Sequence, residues 1–118
     1  MFRIYLAFAA AVAALAVAVA PAAAAIPTLK GTVGPSFTIT LKKGATKVTK
    51  LKAGKYKLVI KDLSDIHNFH LTGPGVNKKT SVGSESTVTW TLTLKKGTYK
   101  YVCDPHATAM KGSFRVTG

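Results

Sequence analysis

Apolar and polar residues alternate with a period of two along most of the chain after Leu29. The apolar members of three such runs are Phe37, Ile39 and Leu41, then Tyr56, Leu58 and Ile60, then Val88, Trp90, Leu92 and Leu94. Because successive side chains of a strand point to opposite faces of a sheet, each run predicts a strand with one buried face. No stretch after Ala25 has the pattern of a long helix.

Turn-forming residues separate these runs at intervals of roughly ten residues. They occur at Lys43-Gly44, Ala53-Gly54, Gly73-Pro74-Gly75, Gly83-Ser84 and Lys96-Gly97. Short strands with glycine and proline between them are typical of an all-β sandwich of the Greek-key kind. With 118 residues, 47% of them hydrophobic, the chain has room for one small domain.

The amino terminus has the pattern of a signal peptide. Arg3 supplies a positive start, residues 4–20 are almost wholly apolar, and the segment ends in small residues up to Ala25. We expect residues 1–25 to be removed, which leaves one domain at residues 26–118 in the periplasm or outside the cell. The alternative is an uncleaved membrane anchor, because the apolar run nearly reaches the roughly 20 residues that span a bilayer.

The chain is strongly basic, with 17 Lys and Arg residues against 4 acids and a net charge of +13. Such a charge favours anionic partners, for which we expect an acidic redox protein, with anionic membrane or cell-surface polymer as further candidates. Export and the lack of a nucleic-acid motif argue against a nucleic acid. A merely solvated surface is the competing interpretation. One small domain with lysines on its strands predicts a monomer.

Metal-binding side chains are concentrated in two segments. Cys103 is the only cysteine, Met110 is the only methionine besides the initiator, and the three histidines are His67, His70 and His106. A lone cysteine in an exported protein cannot form an internal disulfide, so metal binding explains it better. One thiolate and two imidazoles with a distant axial Met form a blue copper electron-transfer site. The donor set therefore predicts one copper ion.

The same residues resemble those of the small cupredoxins, such as plastocyanin, pseudoazurin and amicyanin. The resemblance rests on His67-Asn68 upstream and on Cys103-Asp104-Pro105-His106 with Met110 downstream, after the strand Gly97-Thr-Tyr-Lys-Tyr-Val. It implies that Asn68 ties the two segments together by hydrogen bonds. It also implies that His106 lies near the surface in an apolar patch and carries electrons to and from partners.

The choice of upstream ligand follows from strand alternation. His67, Phe69 and Leu71 share a face whose apolar members mark it as buried, so His67 is expected to approach Cys103 and His70 to face outward. A second metal at His70 is a less favoured alternative. Met110 is predicted as the axial ligand, although three residues separate it from His106 where the named relatives have two or four. It could instead pack in the core.

We therefore predict an exported one-electron carrier in which copper cycles between Cu(II) and Cu(I), bound by His67, Cys103, His106 and Met110, and not an enzyme. A copper-trafficking module is one alternative, although the Met-rich or His-rich tracts typical of such proteins are absent. A metal-free adhesion module is the other, and it predicts that replacement of Cys103 would leave function intact.

Overall fold

The computed structural model describes residues 11–16 and 25–118. Within these ranges the chain forms ten strands. They are β1 Thr28–Val33, β2 Ile39–Lys43, β3 Thr46–Lys47, β4 Lys50–Lys52, β5 Gly54–Asp62, β6 His70–Gly73, β7 Val76–Lys79, β8 Thr87–Leu94, β9 Gly97–Val102 and β10 Lys111–Thr117. One 3-10 turn, Asp104–His106, lies between β9 and β10. The all-β prediction is confirmed.

The strands form two mixed five-stranded sheets that pack into a sandwich. The first sheet has the order β3-β2-β1-β5-β8 and the second has the order β4-β10-β9-β6-β7. The pairs β1–β5 and β4–β10 are parallel, and the other neighbours are antiparallel. The ten strands of the described residues lie between residues 28 and 117.

The leader prediction falls mainly on residues 1–10 and 17–24, which lie outside the described residues, so it stays a prediction. No helix among the described residues is long and apolar enough to cross a membrane.

Aromatic rings fill the space between the sheets on the side of the second sheet. The rings of Tyr99 and Phe114 stack at a centroid distance of 5.2 Å, and those of Phe69 and Tyr101 stack at 5.4 Å. Such pairs add about 0.5–1.5 kcal/mol each beyond the burial of their area. The Tyr101 ring lies directly over Gly112, where any side chain would collide with it. These rings anchor β9 as it approaches the two metal-binding segments.

One strand boundary differs from the prediction. The alternating run places Phe37 on the buried face of a strand, but β2 begins only at Ile39 and the side chain of Phe37 is 57% exposed. The cause is a turn: Gly34 has a φ of +70°, its N–H donates to the Thr38 carbonyl, and the Thr38 N–H donates to the Ser36 carbonyl. Phe37 is therefore held outside the sheet, at the end where the metal-binding segments lie.

Candidate metal centre

The downstream segment, residues 103–110, is the connection between β9 and β10. It is closed by backbone hydrogen bonds, from the Cys103 N–H to the Met110 carbonyl at 3.0 Å and from the Met110 N–H to the His106 carbonyl at 2.8 Å. Pro105 occupies the first turn of the 3-10 helix, where its missing N–H costs nothing. The segment is therefore a short closed loop whose side chains have little freedom to separate.

The upstream segment, residues 63–69, connects β5 to β6 and brings His67 to the same end of the sandwich. His67 is fully buried, and its Nε2 lies 3.1 Å from the Ser36 carbonyl oxygen. A carbonyl can only accept, so Nε2 carries the proton and donates it, which leaves Nδ1 as a free lone pair. This contact fixes both the orientation and the tautomer of the ring, as is typical of metal-binding histidines.

Three donor atoms from the two segments converge on one point. The Nδ1 atoms of His67 and His106 are 3.2 Å apart, and the Cys103 Sγ lies 3.7 Å from the first and 3.5 Å from the second. The circle through three points with these separations has a radius of about 2.0 Å. Zinc, which is close to copper in size, binds imidazole nitrogen at about 2.0–2.1 Å and thiolate at about 2.3 Å. The triangle therefore fits one small metal ion.

The donor chemistry identifies the kind of ion that fits. Cys103 and His67 are fully buried and His106 is partly buried, and no carboxylate from the described part of the chain joins these three in the cluster. One thiolate with two imidazoles in a trigonal arrangement is the donor set of type 1 copper. His70 lies outside this cluster, in agreement with its predicted outward orientation.

Met110 is fully buried beside the loop closure. Its backbone is bonded to Cys103 and to His106, so its side chain begins next to both of their donors. Met110 thus lies close to two of the three candidate ligands, and its role as the axial ligand stays a prediction.

Asn68 joins the two segments through its side chain. Its Oδ1 accepts from the Asp104 N–H at 2.7 Å, and its Nδ2 donates to the Asp104 Oδ2 at 2.7 Å and to the Thr80 carbonyl at 3.3 Å. Asn68 and Asp104 each directly follow a candidate metal ligand, since Asn68 comes after His67 and Asp104 after Cys103. The pair therefore sets the distance between the two segments, as the resemblance implied.

His70 extends this network at its outer side. Its Nδ1 lies 2.8 Å from the Asp104 Oδ1 and its Nε2 lies 2.6 Å from the Asn77 Oδ1, and both nitrogens donate when the ring is protonated. The hydrogen bond to Asp104 raises the pKa of His70, and burial acts in the opposite direction to a smaller extent. Burial acts to raise the pKa of Asp104, but the hydrogen bonds from His70 and Asn68 together lower it. His70 is thus neither merely solvated nor a member of the cluster, but a partner of Asp104.

Phe37 covers the two histidine rings of the candidate metal centre. Its ring meets the His67 ring edge-on at 5.3 Å and the His106 ring at 5.0 Å, as measured between centroids. Sequence reasoning missed this contact because it assigned Phe37 to the buried face of a strand. The turn signal Gly34-Pro35 just before it was the feature that could have revealed the position.

Together, the sandwich and the donor set define a class: small β-sandwich proteins with a mononuclear thiolate–imidazole site between the loops at one end. Within that class, the chain belongs to the family described as the cupredoxin-like domain, whose sequence profile matches residues 7–116. Comparison with curated proteins gives no match.

Solved structures of blue copper proteins share the fold. Reduced rusticyanin is 20% identical with a TM-score of 0.58, and the match covers 76% of this chain and 78% of rusticyanin. Auracyanin A from the bacterium Chloroflexus aurantiacus is 18% identical with a TM-score of 0.55, over 79% of this chain and all of auracyanin. A Cu(I) form of an amicyanin variant is 17% identical with a TM-score of 0.52, over 77% and 83% of the two chains.

Proposed function

We propose that the protein is a one-electron carrier that binds one type 1 copper ion through His67, Cys103 and His106, with Met110 as the axial ligand. The observation that carries this proposal is the triangle of donor atoms, whose sides of 3.2, 3.5 and 3.7 Å suit a single ion. When bound, copper supplies the change between Cu(II) and Cu(I). The protein supplies a fixed ligand set that suits both states.

The surroundings of the three donors favour small rearrangement on electron transfer. His67 is held by the Ser36 carbonyl, and Cys103 and His106 are held by the closed downstream segment. Asn68 prevents the two segments from separating. Since neither segment can relax independently, the donor triangle should change little between the two oxidation states, and electron transfer then needs little reorganisation.

Electrons are proposed to pass through the partly exposed edge of His106. Apolar groups lie beside it, since the Phe37 ring that contacts it is 57% exposed and the adjacent Pro105 is exposed. A small apolar surface suits a short-lived contact with a redox partner. Such a carrier performs no bond chemistry on a substrate. An anionic partner, export to the periplasm or cell exterior, and a monomeric state remain our predictions from the sequence.

The test is a visible absorption spectrum of residues 26–118 after one equivalent of Cu(II) and then ascorbate. We expect an intense band toward the red end of the spectrum, from charge transfer between thiolate and Cu(II), which disappears on reduction and returns on reoxidation. A colourless copper complex would contradict thiolate ligation and favour the trafficking function. No copper binding at all would favour the adhesion module.

A further inference from the structure

Lysine side chains cover the outer face of the first sheet. Residues that alternate with them, such as Leu29, Leu41 and Leu58, are fully buried, so the lysines of the same strands point to solvent. The lysines of this surface, which we name the lysine face, are all exposed: Lys30, Lys42, Lys47, Lys55, Lys57 and Lys61. They come from β1, β2, β3 and β5, which are neighbours in the sheet.

No carboxylate neutralises the lysine face. The four acidic residues of the chain lie toward the metal-binding end. Asp62 ends β5, Asp65 and Asp104 lie in the two metal-binding segments, and Glu85 precedes β8 next to the end of β5. Within residues 11–16 and 25–118 the only salt bridge joins His70 to Asp104. The acids therefore lie toward one end of the molecule, and the lysines of this face have no carboxylate partner.

Three lysines of this face are directly opposite one another. Lys47 pairs with Lys42 across β3 and β2, and Lys42 pairs with Lys30 across β2 and β1. Neighbouring strands are about 4.8 Å apart, and like charges directly opposite destabilise a sheet. The row is thus unfavourable in the isolated protein. Attraction between these lysines and an anionic surface would offset the repulsion among them.

The remaining side chains of the face indicate the kind of partner. The edge strand β8 presents only threonines outward, namely Thr87, Thr89, Thr91 and Thr93. The outward positions of the first sheet's strands include no aromatic ring on which a sugar could stack and no amide or carboxylate to accept from its hydroxyls. Among the described residues, no exposed large hydrophobic residue belongs to a strand of this sheet. Such a face recognises dense negative charge by contact across a plane, without insertion.

We propose that the lysine face binds the surface of a bilayer that contains anionic lipids. Five strands give the face a width of about 19 Å, so it meets a flat headgroup layer over many charges at once. The chain enters this sheet at Thr28, at the opposite end of β1 from the metal-binding segments. A membrane is therefore the partner that the charge and the extent of the lysine face fit.

The orientation that results leaves the metal-binding end free. His106 and Phe37 lie at the end of the sandwich and not on the lysine face. When the lysine face lies on the membrane, this end points along the membrane plane and stays accessible. If the proposed electron transfer holds, the carrier can meet membrane partners by diffusion in two dimensions. The docking itself does not depend on copper.

The test measures binding of residues 26–118 to sedimented vesicles of phosphatidylcholine with and without phosphatidylglycerol. One triple variant is Lys30→Gln, Lys42→Gln and Lys47→Gln. The matched control is Lys50→Gln, Lys100→Gln and Lys111→Gln, which removes the same charge from exposed positions on the strands of the second sheet. Each lysine near an anionic leaflet contributes about fivefold to binding, so the first variant should bind about 100-fold more weakly. The control should lose less than about fivefold.

A second readout guards against loss of structure. Removing the row of like charges should leave the thermal midpoint of the first variant unchanged or higher. Binding should weaken as salt rises above about 0.15 M. Equal losses in both triples would show that only net charge matters and would overturn the proposal, as would failure of the wild type to bind anionic vesicles. Binding to soluble polyphosphate but not to vesicles would replace the membrane by a polymer. None of these results depends on the colour of the copper site.

Discussion

The two metal-binding segments reach the same site by different means. The downstream segment supplies Cys103 and His106 from positions three apart, and its own backbone hydrogen bonds fix their arrangement. The upstream segment supplies His67, which is separated from Cys103 by 36 positions and is held by contacts with Ser36, Phe37 and, through Asn68, Asp104. One half of the site is therefore local in the sequence, and the other half exists only in the folded sandwich.

This difference separates two properties of the site. The kind of chemistry depends on the downstream thiolate, because no other residue can replace it. The geometry depends on the tie between the segments, because the triangle closes only when His67 stands 3.2 Å from His106. Substitutions in the downstream segment should alter the chemistry of the site, and substitutions in the upstream segment should alter its geometry.

The largest effect is expected for Cys103→Ser. Serine is close in size and keeps the fold, but its hydroxyl does not form the thiolate that gives colour with Cu(II). We expect complete loss of the intense visible band, with an unchanged far-ultraviolet circular dichroism spectrum. A variant that stays blue would show that the downstream segment does not determine the chemistry.

The next largest effect is expected for Asn68→Ala, which breaks the tie. Loss of contacts that orient metal ligands commonly lowers metal affinity by about 10–100-fold. The Asp104 N–H also loses its partner, which costs about 1–3 kcal/mol of unfolding free energy. Copper affinity by competition with a chelator and stability by urea unfolding check both values.

Asn77→Ala is the matched control for this change, since Asn77 contacts His70 and neither segment directly. It should retain copper affinity within about threefold. Equal effects of the two variants would mean that Asn68 does not hold the segments together.

A smaller effect is expected for Met110→Leu, which tests whether the downstream segment also supplies the axial ligand. The change conserves volume, so it should cost less than about 1.5 kcal/mol of stability. The blue colour should remain and the reduction potential should rise, because a weak donor to copper is lost. Voltammetry measures this, with Ala109→Ser in the same loop as the control. An unchanged potential would show that Met110 is a core residue only.

The smallest effect is expected for His70→Gln, which removes the contact between His70 and Asp104. The pKa of His70 is raised by Asp104 above its unfolded value of 6.5, so protonated His70 stabilises the folded state below that pH. The contribution is lost as pH rises through the raised folded pKa. Unfolding free energy should therefore fall as pH rises above 6.5, by more in the wild type than in His70→Gln. If the unfolding free energies of both proteins vary with pH in the same way, the His70–Asp104 contact does not stabilise the link between the two metal-binding segments.

Much of the fold was predictable because its signals are local. Alternation identified strands at Tyr56, Leu58 and Ile60 and a buried face at Tyr99 and Tyr101, and the structure buries all five. The same reasoning separated buried His67 from outward His70. It succeeded even though His67 lies before the first residue of β6.

The contacts that complete the site were less predictable because they join distant parts of the chain. The local sequence signals a turn at Gly34-Pro35, but not that the Ser36 carbonyl fixes the His67 tautomer or that Phe37 covers both rings. These depend on a turn that interrupts an otherwise regular alternation. The role of Asn68 was visible only through a resemblance, since a polar residue next to a histidine has many uses.

X-ray absorption at the copper edge tests most directly whether the two segments form one preset site. We predict one sulfur and two nitrogen neighbours at close range in both the Cu(II) and the Cu(I) protein, with little change in distance between the states. Absence of the close sulfur neighbour, or loss of a nitrogen neighbour on reduction, would contradict a site held fixed by the fold.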